Sequence, residues 1–166
     1  MIGVIMVVNI SQKAEANNER IQKQNAKKFF QMLNKDTMDL VDDFYAEDIH
    51  FIDPVVELNN RDDLKHYYDS SYAKTESVSF EIPTIINDGD EQTVIWIMTM
   101  TAKKLNKGKP IIVHGSSHIR YNDQGRAVYH RDYFDMGEMI YSRVPLVRSM
   151  VNFVRNKMRK NHDPVY

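Results

Sequence analysis

The residues of this 166-residue chain best placed to do chemistry are carboxylates. There is no cysteine, so disulfides, thiolate nucleophiles and cysteine-ligated zinc or iron–sulfur sites are excluded. Asp53, followed by Pro54, closes the apolar stretch Ile49 to Ile52. A carboxylate there that faces a dry pocket can act as a general base. One that folds back over the turn accepts backbone N–H bonds instead. His114 and His118 have the spacing of metal ligands on a helix, but their segment alternates like a strand, which sets them roughly 13 Å apart. No third ligand accompanies them, and neither a metal nor a cofactor is expected.

The elements that must position these groups follow from the hydrophobic pattern. Glu15 to Lys35 is helical in period, with Ile21, Phe29, Phe30 and Leu33 near one face. Asp36-Thr37 reads as a stop and an N-cap, opening a short helix with Met38, Val41, Phe44 and Tyr45 inward. A third helix is expected over Arg61 to Tyr72. The period then falls to two. Val78, Phe80 and Ile82 alternate up to the hairpin signal Asn87-Asp88-Gly89, and Thr93 to Lys103 follows with Val94, Trp96, Met98 and Met100 on one face. Turns at Asn106-Lys107-Gly108 and Asn122 to Gly125 bound Pro110–Tyr121 and Ala127–Asp135. Val144 to Lys160 is an amphipathic helix with a basic face.

Three helices followed by a meander of long strands is an α+β order, a curved antiparallel sheet with helices across one face. The length fits one domain, here 15–140, with an extension at 1–14 and a basic helix and tail at 141–166. The net charge of −1 gives no general attraction to nucleic acid. Met1 to Val8 is apolar but much shorter than a membrane span, and it lacks a basic leader and a small-residue cleavage site. An edge strand, or a start at Met6, accounts for it. The cysteine-free composition suits the cytoplasm.

Two stretches carry a family resemblance. Phe44-Tyr45-Ala46-Glu47-Asp48-Ile49-His50-Phe51-Ile52-Asp53-Pro54-Val55 resembles the SnoaL-like group of the nuclear transport factor 2-like superfamily. His130-Arg131-Asp132-Tyr133-Phe134-Asp135 resembles the closing strand of the limonene-epoxide hydrolases in that group. The likeness runs from about Asn25 to Glu138. It implies a cone-shaped sheet around a pocket for a small apolar molecule, and homodimers packed sheet to sheet.

The resemblance places Asp53 where ketosteroid isomerases keep the aspartate that moves the substrate proton. Their two oxyanion donors fall on Phe29 and Ser117, and Tyr68 matches a supporting tyrosine. Phe29 cannot donate a hydrogen bond, so isomerisation of the steroid type is disfavoured. Asp135 matches one aspartate of the epoxide hydrolases, but the strand that should supply Arg-x-Asp reads Ile95 to Thr101 without a charge. That mechanism is disfavoured too. What the resemblance leaves is a pocket with Asp53 and Asp135 as acid/base groups. Phe29, Phe51, Tyr68, Ser117, Arg131 and Tyr133 would be its ligand-binding wall. The competing reading is a binding module of the same fold. For the basic C-terminal helix the expectation is docking on the domain or dimer, with a membrane surface as the alternative.

Overall fold

A computed structural model describes residues 25–103 and 105–159. The N-terminal extension, the first part of the predicted first helix and the C-terminal tail lie outside the described residues.

Helix α1 covers residues 25–32 and turns Ala26, Phe29, Phe30 and, just past its end, Leu33 into the core, the i, i+3, i+4, i+7 stripe of a half-buried helix. Thr37 does not cap the next helix as predicted. Its hydroxyl donates back to the Met32 carbonyl at 2.7 Å and accepts the Asn34 amide at 2.9 Å, closing the turn after α1. Helix α2 (Asp39–Phe44) follows without a side-chain cap and buries Val41 and Phe44. The Phe44 ring stacks on Phe29 at 4.4 Å. Helix α3 spans Arg61–Tyr72, and the Asn60 side chain caps it by accepting the Asp63 amide at 2.8 Å. Asp62 and Asp63 stand in its first turn, where the helix dipole favours negative charge.

Six strands form one sheet: β1 (Tyr45–Ile52), β2 (Glu57–Leu58), β3 (Ser77–Asp88), β4 (Glu91–Thr101), β5 (Ile111–Tyr121) and β6 (Ala127–Phe134), in the order β2-β1-β6-β5-β4-β3. The sheet is curved and unclosed, and its inner face shares one hydrophobic core with α1, α2 and α3. β1 begins at Tyr45, earlier than the pattern suggested, and pairs with β6 in parallel. The sheet is therefore mixed. β1 adds to the β6 side of the β3–β6 meander and runs in the same direction as β6, while β3 stays at the opposite edge.

Edge strand β3 changes register between Glu81 and Thr84, so Ile82 and Ile85 both turn to the core. Pro83, which has no N–H to give, sits within this bulge on the edge, where a ladder tolerates it. Gly89 holds φ at +59° in the tight β3–β4 turn, a conformation that glycine adopts without strain.

The alternation leads one to expect Trp96 or its neighbours on the open face of the sheet, but Trp96 belongs to the interior. It is 3% exposed and packs edge-on against Phe80. Gly115 lies opposite it on β5, and a Cβ there would come within 2.2 Å of the indole. Glycine at 115 is thus the space the indole ring occupies. The outer face carries Ile95, Ile112 and Tyr133, all solvent-facing.

Candidate functional site

The sheet register brings a row of polar side chains to the concave side. Ser117 on β5 faces Asp132 on β6, and His130 lies two residues before Asp132 on the same face. Trp96 Nε1 lies 2.9 Å from Ser117 Oγ, and Ser117 Oγ in turn contacts Asp132 Oδ1. His130 Nε2 approaches the same Oδ1 at 2.9 Å, while its Nδ1 is 2.6 Å from the Tyr45 hydroxyl. Tyr45 then meets the Tyr68 hydroxyl at 3.1 Å.

The direction of these bonds follows from one fixed donor. An indole N–H can only donate, so Ser117 accepts from Trp96 and sends its own proton to Asp132 Oδ1. Oδ1 is therefore an acceptor, and His130 Nε2 must carry a proton to bond it. In the neutral imidazole Nδ1 is then the acceptor, so Tyr45 donates to it and accepts from Tyr68. Two donor chains, Trp96–Ser117 and Tyr68–Tyr45–His130, converge on one carboxylate oxygen. Among the described residues, every side-chain hydrogen bond of Asp132 is made through Oδ1.

Burial locks the far ends of these chains. His130 is 1% exposed, wrapped by Phe51, Phe30 and Tyr45. Desolvation raises the pKa of Tyr45 and Tyr68 well above the ordinary value, with the nearby Asp132 charge adding to it. Tyr67 and Tyr72 are raised for the same first reason. All four remain protonated at neutral pH.

Asp132 also borders the surface. A cleft of about 240 Å³ opens between the end of β1 and the end of β6, lined by Ile52, Asp53, Pro54 and the run Arg131 to Phe134. Asp53 is in its wall, but its oxygens are engaged. Oδ1 accepts the Val55 and Val56 amides at 2.6 and 2.7 Å, and Oδ2 accepts the Tyr67 hydroxyl at 2.6 Å. Asp53 thus has the geometry of a turn cap that also anchors α3.

Asp135 is separate from this cluster. It lies past the end of β6, is exposed, and caps the one-turn helix α4 (Met136–Met139) through the Gly137 amide at 2.6 Å. Arg155 approaches its other oxygen at 3.5 Å. Arg131 and Tyr133 point to the outer face of β6, with the guanidinium 5.2 Å from the ring centre. Their side chains do not join the polar row. Phe29, Phe51, Tyr68 and Ser117 do lie on the concave side, around His130 and Asp132. His114 and His118 face outward beside Glu138 and Glu91.

Sequence reasoning passed over three members: Tyr45, His130 and Asp132. The signal was available in the alternation of His130-Arg131-Asp132-Tyr133-Phe134. Placing Phe134 inward puts His130 and Asp132 inward with it.

Comparison with known proteins adds the family. The model of the SnoaL-like domain matches residues 26–130. No curated protein matches the sequence. Among solved structures, a nuclear transport factor 2-like protein of unknown function from Burkholderia pseudomallei is 17% identical, with a TM-score of 0.63 over 71% of this chain and 93% of that one. A putative SnoaL-like polyketide cyclase from Jannaschia is 12% identical, with a TM-score of 0.63 over 71% and 88%. An epoxide hydrolase from M. tuberculosis, similar to the limonene enzymes, is 17% identical, with a TM-score of 0.59 over 70% and 79%. At these identities the structures establish the fold alone. The chain belongs to the SnoaL-like domain family.

Proposed function

We propose that this SnoaL-like chain is a cofactor-independent acid/base enzyme acting on a small, largely apolar molecule, with Asp132 as the group that moves the proton. The observation that supports this is the unequal use of its two oxygens. Oδ1 takes both internal donor chains, which leaves Oδ2 for the cleft that Asp132 lines. A carboxylate held in place from behind and open in front is preorganised for general-base work.

In this reading Oδ2 takes a proton from a carbon beside a substrate carbonyl. The C–H electron pair moves into the enolate, and the new carboxylic acid returns the proton at another atom. Isomerase-, lyase- and cyclase-type outcomes all begin with that step. A hydrolase-type outcome would use the same oxygen on water. Asp53 shapes the cleft, and Asp135 is kept for capping α4. The outer sheet face, with Ile95 and Ile112 in solvent, serves a homodimer.

A second reading, a binding module without turnover, is favoured by one feature. The cone is filled by Phe29, Phe44, Phe51, Phe80 and Trp96, and a cleft of about 240 Å³ is below the usual range for a drug-sized ligand. Only a small molecule, or the reacting end of a longer one, fits. An NMR screen of small ketones and epoxides separates the readings. Amide shifts around Ile52, Asp132 and Phe134 together with product formation are expected. Shifts there without product would favour the module, and shifts only elsewhere would contradict both.

A further inference from the structure

Helix α5 (Pro145–Arg159) leaves the cone with its apolar side uncovered among the described residues. Leu146, Met150, Phe153, Val154 and Met158 lie on one side of it and are between 54% and 75% exposed. An apolar face of this size in water signals a partner. Within the protomer the helix touches the rest of the domain mainly at the one-turn segment Tyr141–Arg143 and through the Arg155–Asp135 contact.

The charges on the helix indicate what the partner is. Arg148, Arg155, Lys157 and Arg159 are its only charged residues, and Arg143 precedes them. No acidic residue stands in the first turn, where the helix dipole would favour one. The whole chain is at −1, so the remainder is net negative and the positive charge is concentrated on this element. Arg148, Arg155 and Arg159 follow one another along the side away from the apolar stripe, by helical spacing.

Lys157 distinguishes between kinds of partner. At 100° per residue it falls inside the apolar stripe, between Phe153 and Val154. Pressed against a dry protein surface, its ammonium would be buried without a counter-charge, which is costly. At a lipid interface the four-carbon stem lies among acyl chains and the ammonium reaches up to the phosphates. A second copy of α5 would bring only more positive charge. No helix among the described residues is long and apolar enough to cross a membrane, and α5, at about 22 Å, suits the interface plane.

We infer that α5 is a peripheral membrane anchor that lays its Leu146–Met158 face into the headgroup region of an anionic lipid surface. The inference is independent of the chemistry at Asp132.

The test is co-sedimentation of the full chain with phosphatidylcholine vesicles, with and without phosphatidylglycerol. Binding is expected to the anionic vesicles, weaker by at least about tenfold to neutral ones, and lost at high salt. Replacing Arg148 and Arg159 with Gln should weaken it by about fivefold per charge. Met150→Ser with Phe153→Ser should abolish it while leaving the melting temperature unchanged, since both side chains are exposed. No binding to either vesicle would overturn the inference, as would equal binding to both. A wild-type oligomer that the serine variant converts to monomer, without vesicle binding, would assign the face to a second copy and overturn it as well.

Discussion

His130 and Asp132 stand two residues apart on one face of β6, with the imidazole Nε2 2.9 Å from the carboxylate Oδ1. The imidazole is 1% exposed and carries a tyrosine hydroxyl on its other nitrogen. The imidazole therefore makes both of its hydrogen bonds where no water can replace them. Replacing His130 with Leu removes the acceptor of Tyr45 and a donor to Asp132 at once. The expected loss is about 3 kcal/mol, read from urea unfolding. Asp132→Asn keeps an acceptor for Ser117 and should cost no more than about half as much. Equal stability of His130→Leu and wild type would contradict the network.

Gly115 makes a second prediction, because its missing side chain is the space of the Trp96 indole. Gly115→Ala must displace that ring and its bond to Ser117, at a cost of about 2 kcal/mol. Trp96 is the only tryptophan, so its fluorescence reports the displacement directly. Trp96→Phe should recover part of the loss in the double variant. An unchanged emission spectrum in Gly115→Ala would contradict this packing.

Much of the fold was legible because burial imposes a period. The strand alternation grouped Val94, Trp96, Met98 and Met100 on one face without telling which face is inward, and the Arg61–Tyr72 helix was legible from the helical spacing of Leu64, Tyr68 and Tyr72. Two things were not legible. The parallel β1–β6 pairing depends on contacts far apart in sequence, which no local pattern encodes. The polar row was hidden because its members come from β1, α3, β4, β5 and β6, and only register brings Ser117 opposite Asp132. Asp135 drew notice as a motif residue, whereas strand parity places the inward carboxylate three positions earlier.

Asp53 yields a prediction about stability. It holds two turn amides and the Tyr67 hydroxyl. Asp53→Ala should destabilise by about 2 kcal/mol, and Asp53→Asn by less, since an amide oxygen can still accept the turn N–H groups. Thermal melts of the two variants check the order. Equal melting of Asp53→Ala and wild type would remove the turn-cap role.

Burial of the tyrosines sets the alkaline limit of the fold. Desolvation raises the pKa of Tyr45, Tyr67, Tyr68, Tyr72 and Tyr121 in the folded protein above about 10, the ordinary value. Between the two values the folded chain keeps protons that the unfolded chain has released. Their contribution is therefore complete below about pH 10 and is lost as pH rises beyond it. The urea midpoint should fall between pH 10 and 11, with most tyrosinate absorbance appearing only on unfolding. All nine tyrosines titrating near pH 10 in the folded state would contradict it.

The central claim is that Asp132, not Asp53 or Asp135, moves the proton. The most direct measurement is hydrogen–deuterium exchange at the acidic carbon of small ketones in deuterium oxide, followed by proton NMR with wild type and the three Asp→Asn variants. Enzyme-dependent exchange is expected, falling by about a hundredfold or more in Asp132→Asn and staying within a few fold in the other two. Exchange that survives in Asp132→Asn and collapses in Asp53→Asn or Asp135→Asn would contradict it.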